Sequence, residues 1–307
     1  FLNISRLLIA KLIIPEKHLK IDSYSQIEVV TDFAIMVMKS YMDKFFKFEK
    51  QRWETPYLEY QDLAADDNNF VEEYSITYTR QGAMDNTGEE LEKFISKAND
   101  LLSQHKGIPE YSKKGVHDAL VLFDFRSHLY APLISLTNES LKIQISPVSL
   151  NVDEMRFVDM LKAYAEANTE KLADKSLYLL RNKSKVGMGF FEAGNFYPDY
   201  ILWIDTAEKQ YISFIDPKGL MRIMPENPKI QFHKTIKELE KRLQEGSKID
   251  KPMVLNSFIM SATKGADLRE WWATTPYKEK AARESINVYT LDDDASVTRM
   301  MEKILAE

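Results

Sequence analysis

The chain has 307 residues, 44% hydrophobic and 29% charged, with no cysteine and a formal charge of -6. That composition excludes disordered, collagen-like and coiled-coil classes and leaves an ordinary globular chain with length for about two domains. The missing thiols exclude disulfides, thiolate zinc sites, iron–sulfur clusters and cysteine nucleophiles. They point to a reducing, cytoplasmic setting and restrict any metal to oxygen or imidazole ligands.

The apolar stretch LLIAKLII (7–14) is interrupted by Lys11 and stopped by Pro15. It is too short for a membrane span and lacks the cleavage site of a signal peptide. With Phe1 in place of a starting methionine, the expectation is a piece cut from a longer protein with no membrane partner. Over 27–48, Val30, Phe33, Ala34, Val37, Met38, Tyr41 and Phe45 recur at helical spacing, which predicts a long amphipathic helix whose apolar face packs in a core. Segment 54–110 holds thirteen acidic and four basic residues, a local charge of -9 that leaves +3 for everything else. A solvated acidic face, rather than a cation site, is the reading of that segment. Residues 1–115 are therefore expected to be a mainly helical, acidic linking region.

Residues 116–150 read as short strands separated by turns, with Leu141, Ile143 and Ile145 alternating in the last. From Asn151, a plausible N-cap, the residues Met155, Val158, Leu161 and Ala165 mark a helix to about Asn168. Strand patterns follow at 176–181, 186–191, 197–204 and 210–216, then a helix at 230–245 ending at Gly246. A strand over 253–263 and a short helix bearing Trp271 and Trp272 complete the pattern. The fold class is mixed α/β.

Elimination narrows the chemistry. There is no phosphate-binding G-x-x-x-x-G-K-[ST] loop, and Gly187, Gly189 and Gly194 do not fit a dinucleotide fingerprint. His18, His105, His117, His128 and His233 are scattered without metal-ligand spacing, and no G-x-S-x-G elbow is present. Carboxylate chemistry remains.

The runs YPDYILWID and QYISFID flank the tetrapeptide Thr206-Ala207-Glu208-Lys209 and predict a hairpin. A symmetric ladder pairs Asp205 with Gln210, Trp203 with Ile212, Ile201 with Phe214 and Asp199 with Asp216. The two aspartates then share one face with Ile201, Trp203, Ile212 and Phe214, with Cβ atoms about 4.5–5.5 Å apart. Two carboxylates closing on an apolar face repel unless one is protonated or a cation lies between them. Lys218, two residues past Asp216, projects to the same side. Such a trio suits metal-assisted phosphodiester hydrolysis. On spacing alone it suits equally a strand end salt-bridged between Asp216 and Lys218, next to a turn at Pro217 and Gly219.

The strings GFFEAGNFYPDYILWI and QYISFIDPKGL resemble the C-terminal endonuclease domain of type III restriction enzymes and related DEAD/DEAH helicase–nucleases, members of the PD-(D/E)xK superfamily. Pro198-Asp199 matches the PD element and Asp216-Pro217-Lys218 the (D/E)xK element. Upstream, LFDFRSHLYAPLISL and ISPVSLNVDEMRFVDML are similar to the stretch preceding the nuclease in those proteins, so the resemblance spans roughly 120–270. It implies a core of helix, three strands, helix and strand over 151–307 and magnesium held by Asp199 and Asp216, with manganese able to substitute. It further implies double-stranded DNA as substrate, an upstream ATP-driven helicase and a modification subunit as partners; ATP would act only through that motor.

Glu192 reads as a third ligand or a surface glutamate. Glu154, in the first turn of its helix, is a possible further metal ligand, or an acid placed there for the helix dipole. Lys183 and Lys185 read as phosphate contacts or solvated turn residues; the Trp271–Trp272 pair reads as an apolar anchor. Two other functions remain open: a non-catalytic module docking DNA or a subunit, and an enzyme of the same core acting on RNA or single strands.

Overall fold

The structure, a computed structural model, describes residues 21–54, 75–79, 88–89, 91–93, 95–96, 120–123, 133–136, 143–146, 150–182, 187–190, 196–246 and 251–307. The chain divides into two compact units, Phe1–Glu59 and Tyr60–Glu307. Among the described residues no helix is long and apolar enough to cross a membrane.

The first unit is described as one helix, α1 (Tyr24–Glu54). Its helical period is as expected but its burial is not. Val37, Met38 and Tyr41, expected in a core, are exposed, Met38 to 59%, while Val30, Phe33 and Phe45 are half-buried. Periodicity specifies a helix that could bury a face; burial itself requires a facing element, which the period does not specify.

The second unit begins with two short antiparallel pairs. Strand β1 (Ser75–Tyr78) lies within the acidic segment and pairs with β4 (Ile143–Ser146), and β2 (Leu120–Phe123) pairs with β3 (Leu133–Leu136). Its main body is a five-stranded mixed sheet in the order β5 (Ser176–Arg181), β6 (Tyr200–Asp205), β7 (Gln210–Lys218), β8 (Met253–Ser261), β9 (Val288–Thr290). The first three strands are antiparallel neighbours, whereas β7, β8 and β9 run parallel. Parallel neighbours need a crossover. Helix α3 (Pro228–Gly246) supplies it between β7 and β8; α4 (Gly265–Trp271) and α5 (Lys280–Ser285) lie between β8 and β9. Helix α2 (Val152–Ala167) precedes the sheet and α6 (Ser296–Ala306) follows it.

Helices cover both faces of the sheet. On one face Phe157, Val158 and Leu161 of α2 and Met300, Met301 and Ile304 of α6 pack against Leu179, Leu202, Ile215 and Phe258. On the other, Ile230, Phe232 and Ile236 of α3 and Leu268 of α4 pack against Ile201, Phe214, Leu255 and Ile259. Each fully buried side chain of this size contributes about 1.5–3 kcal/mol. Trp272 anchors the second layer, fully buried with its indole N–H donating to the Ile223 carbonyl at 2.9 Å, whereas Trp271 is exposed. The expected strand over 186–191 is not formed among its described residues. Between Gly187 and Phe190 only the last pairs, in a single bridge to Phe196. Gly189 lies so close to the Tyr197 ring that a Cβ would fall 2.4 Å from it, a close approach that requires glycine.

Candidate active site

The hairpin closes in the anticipated register: Asp205 faces Gln210, Trp203 faces Ile212 and Ile201 faces Phe214. One step beyond the last ladder pair, Tyr200 with Ile215, the Asp199 and Asp216 carboxyls meet within hydrogen-bonding reach. The apolar layer between the sheet and α3 lies behind them, since Ile201, Ile212 and Phe214 on the same sheet face all belong to it.

Asp199 is fixed from the β5 side by Asn182, a buried residue that sequence reasoning passed over. Its backbone N–H donates to the Asp199 carbonyl (2.8 Å), and its side-chain amide donates to the carbonyls of Pro198 (2.8 Å) and Met188 (2.7 Å). Its side-chain oxygen accepts from the Met188 N–H at 2.9 Å. The amide thus ties the 187–190 loop to the Pro198-Asp199 step, a role that depends on contacts distant in sequence.

Asp216 is fixed from the other side by the parallel ladder to β8, opposite Ile259, with Lys218 opposite Ser261. The Lys218 carbonyl accepts the Ala262 N–H at 3.0 Å, so residues 216 and 218 direct their backbone groups to β8. Pro217 between them faces the side where β6 has ended, and its missing N–H breaks no ladder bond.

Asp216 is 4% exposed and its Oδ2 has no hydrogen-bond partner among the described residues. Burial, then the Asp216 charge, pushes Asp199 up to about 7, and burial raises Asp216 as well. Without a cation the pair therefore shares a proton near neutral pH. Lys218 contributes a favourable charge to both aspartates. No ion pair within 4.0 Å joins it to Asp216, so the strand-end salt bridge allowed by spacing is not formed.

The structure adds Lys229, a residue the sequence reading omitted. Helix α3 starts two residues earlier than the pattern predicted because Asn227 caps it, its side chain accepting the Lys229 N–H at 3.0 Å, and Pro228 occupies the first turn. That N-cap and proline pair was the available signal. Lys229 is half-buried, with its ammonium 5.0 Å from the Phe196 ring centroid and in contact with Lys218. Its pKa is lowered, first by burial and then by Lys218, against the opposing pull of Asp216.

Glu154 is brought to the same end of the sheet with a different attachment. It forms a capping box with Asn151, accepting the Asn151 N–H at 2.8 Å, and its carboxylate takes two bonds from the Arg181 guanidinium at 3.0 and 3.3 Å. Burial raises its pKa while Arg181 opposes the rise. Glu192, Lys183 and Lys185 lie outside the described residues. Among the described residues no group of three or more metal-ligating side chains is present. A hard divalent ion such as magnesium commonly takes only one or two protein carboxylates and completes its shell with water and substrate oxygen, which the aspartate pair fits.

No protein-family model matches the chain, and neither a curated protein nor a solved structure matches it.

Proposed function

We propose that the chain is a divalent-metal-dependent nuclease of PD-(D/E)xK type that hydrolyses DNA phosphodiester bonds, as the endonuclease part of a type III restriction enzyme-like helicase–nuclease. The observation that carries this reading is the Asp199–Asp216 pair, in which the buried Asp216 keeps one oxygen without a hydrogen-bond partner among the described residues. Such a pair is electrostatically incomplete, and a divalent cation completes it. The order of α2, three strands, α3 and β8 around it is the order the superfamily resemblance implies.

Asp199 and Asp216 would hold magnesium or manganese, which when bound polarises a phosphate oxygen and acidifies water. Lys218 orients the attacking water. In the overall reaction the water oxygen bonds to phosphorus, one ester oxygen leaves, and the water proton ends on that leaving oxygen. Glu154 stays with Arg181 and holds α2 to β5. The duplex, the helicase motor and the modification subunit come from the resemblance alone. Replacing Asp216 with Asn or Lys218 with Ala in the complete enzyme should lower cleavage by about 10³-fold without unfolding it; undiminished cleavage by a folded variant rules the assignment out.

A further inference from the structure

We infer that Lys229 is a phosphate-seating cation of the site, holding the anionic phosphodiester beside the water-orienting Lys218 once a divalent ion occupies the aspartate pair. The inference rests on the nuclease reading and extends it to a residue outside the P-D and D-x-K elements.

Three features of Lys229 are locally unfavourable and need a common explanation. It sits in the first turn of α3, directly after Pro228, where the helix dipole disfavours a cation. Its ammonium contacts that of Lys218, a like charge. It is also half-buried, lying over the Phe196 ring, so water only partly solvates it. Asn227 and Pro228 already start the helix, so helix formation does not require a lysine at this position. What offsets these penalties in the metal-free protein is the Asp216 charge, followed by that of Asp199.

The charge inventory changes when the pair is loaded. With a divalent cation between them the carboxylates are neutralised, and both lysines lose their counter-charge. The site then has an excess of two positive charges on the α3 side. A phosphodiester brings one negative charge, and the five-coordinate phosphorus of hydrolysis carries two. Lys218 alone matches the bound diester; Lys218 with Lys229 matches the charge that develops during reaction.

The test measures DNA binding without turnover. The full chain is titrated into fluorescent double-stranded oligonucleotides of unrelated sequence, in calcium and in EDTA, over a range of salt. Lys229→Met keeps the stem on Phe196 and removes the charge. Calcium-dependent affinity should fall about tenfold at low salt. The slope of log affinity against log salt should drop by about one. Lys229→Arg should restore most of both. If Lys229→Met leaves affinity and slope at wild-type values, Lys229 merely balances the carboxyls and the inference is overturned. Should Lys229→Met not fold, Lys229→Gln against Lys229→Arg reads the same slope. An Asp216→Asn arm separates the two levels. If calcium enhances DNA binding equally in that variant, or if the wild type binds no oligonucleotide, the nuclease reading fails with the inference. If only the Lys229 variants are unaffected, the inference alone fails.

Discussion

Two buried acids at one end of the same sheet are treated in opposite ways. Glu154 is 6% exposed and fully engaged: a backbone N–H reaches it from Asn151, and two guanidinium bonds reach it from Arg181. Asp216 is as deeply buried, yet its carboxyl meets that of another acid, Asp199, and its Oδ2 has no hydrogen-bond partner among the described residues. Folding alone explains the first arrangement, because a capped helix tied to β5 is more stable for it. The second is destabilising in isolation, a local conflict of the kind that recurs at binding and catalytic sites.

The two acids should differ most in turnover. On the nuclease reading proposed above, Asp216→Asn or Lys218→Ala should lower the cleavage rate by about 10³-fold. Glu154→Gln, if it folds, should stay within about tenfold of wild type, because Glu154 is held by Arg181. Equal losses at Glu154 and Asp216 would erase the distinction. Stability should respond the other way round. Arg181→Ala strands a buried carboxylate and should destabilise the fold by about 3 kcal/mol in denaturant titration. Asp216→Asn should raise metal-free stability at pH 8, since the new amide can donate to Asp199 and the repulsion is gone.

The pH dependence sharpens the same contrast. Asp199 is raised to about 7 by burial and by the Asp216 charge, so between about pH 4 and 7 the folded chain binds more protons than the unfolded chain. Its contribution is therefore fully present below the unfolded value and lost as pH rises toward 7. Chemical denaturation in EDTA should show that decline, about 2 kcal/mol over the interval after allowance for solvent screening. Asp216→Asn should flatten it. The smallest effect concerns the loop following β7. Arg222 has φ 64°, and the Ile223 N–H donates to the Leu220 carbonyl at 3.0 Å across it, a turn position suited to glycine. Arg222→Gly should raise stability by about 0.5–1 kcal/mol in the same titration.

Much of this site was legible because a hairpin converts sequence distance into geometry. The four-residue loop and strict alternation placed Asp199 opposite Asp216, and Asn151 with the 155–165 period marked α2. Legibility stopped where tertiary contacts decide. Asn182 clamps Pro198 through an amide sixteen residues away, and nothing local announces it. The two bonds from Arg181 to Glu154 depend on β5 bringing Arg181 alongside, a contact distant in sequence. Lys229 was missed because the helix start was read from its apolar period rather than from its Asn227 cap. In α1 the period was readable but its burial was not, since a helical pattern shows which face is apolar and says nothing of what covers it.

On the proposed reading the aspartate pair is a seat for a divalent cation. Calorimetric titration of manganese into the metal-free chain at pH 8, beside Asp216→Asn, tests it most directly. Saturable binding near one ion per chain is expected in the wild type and its loss in the variant, with wild-type affinity weakening as pH falls below about 7. Equal binding by both proteins, or none by the wild type, would contradict it.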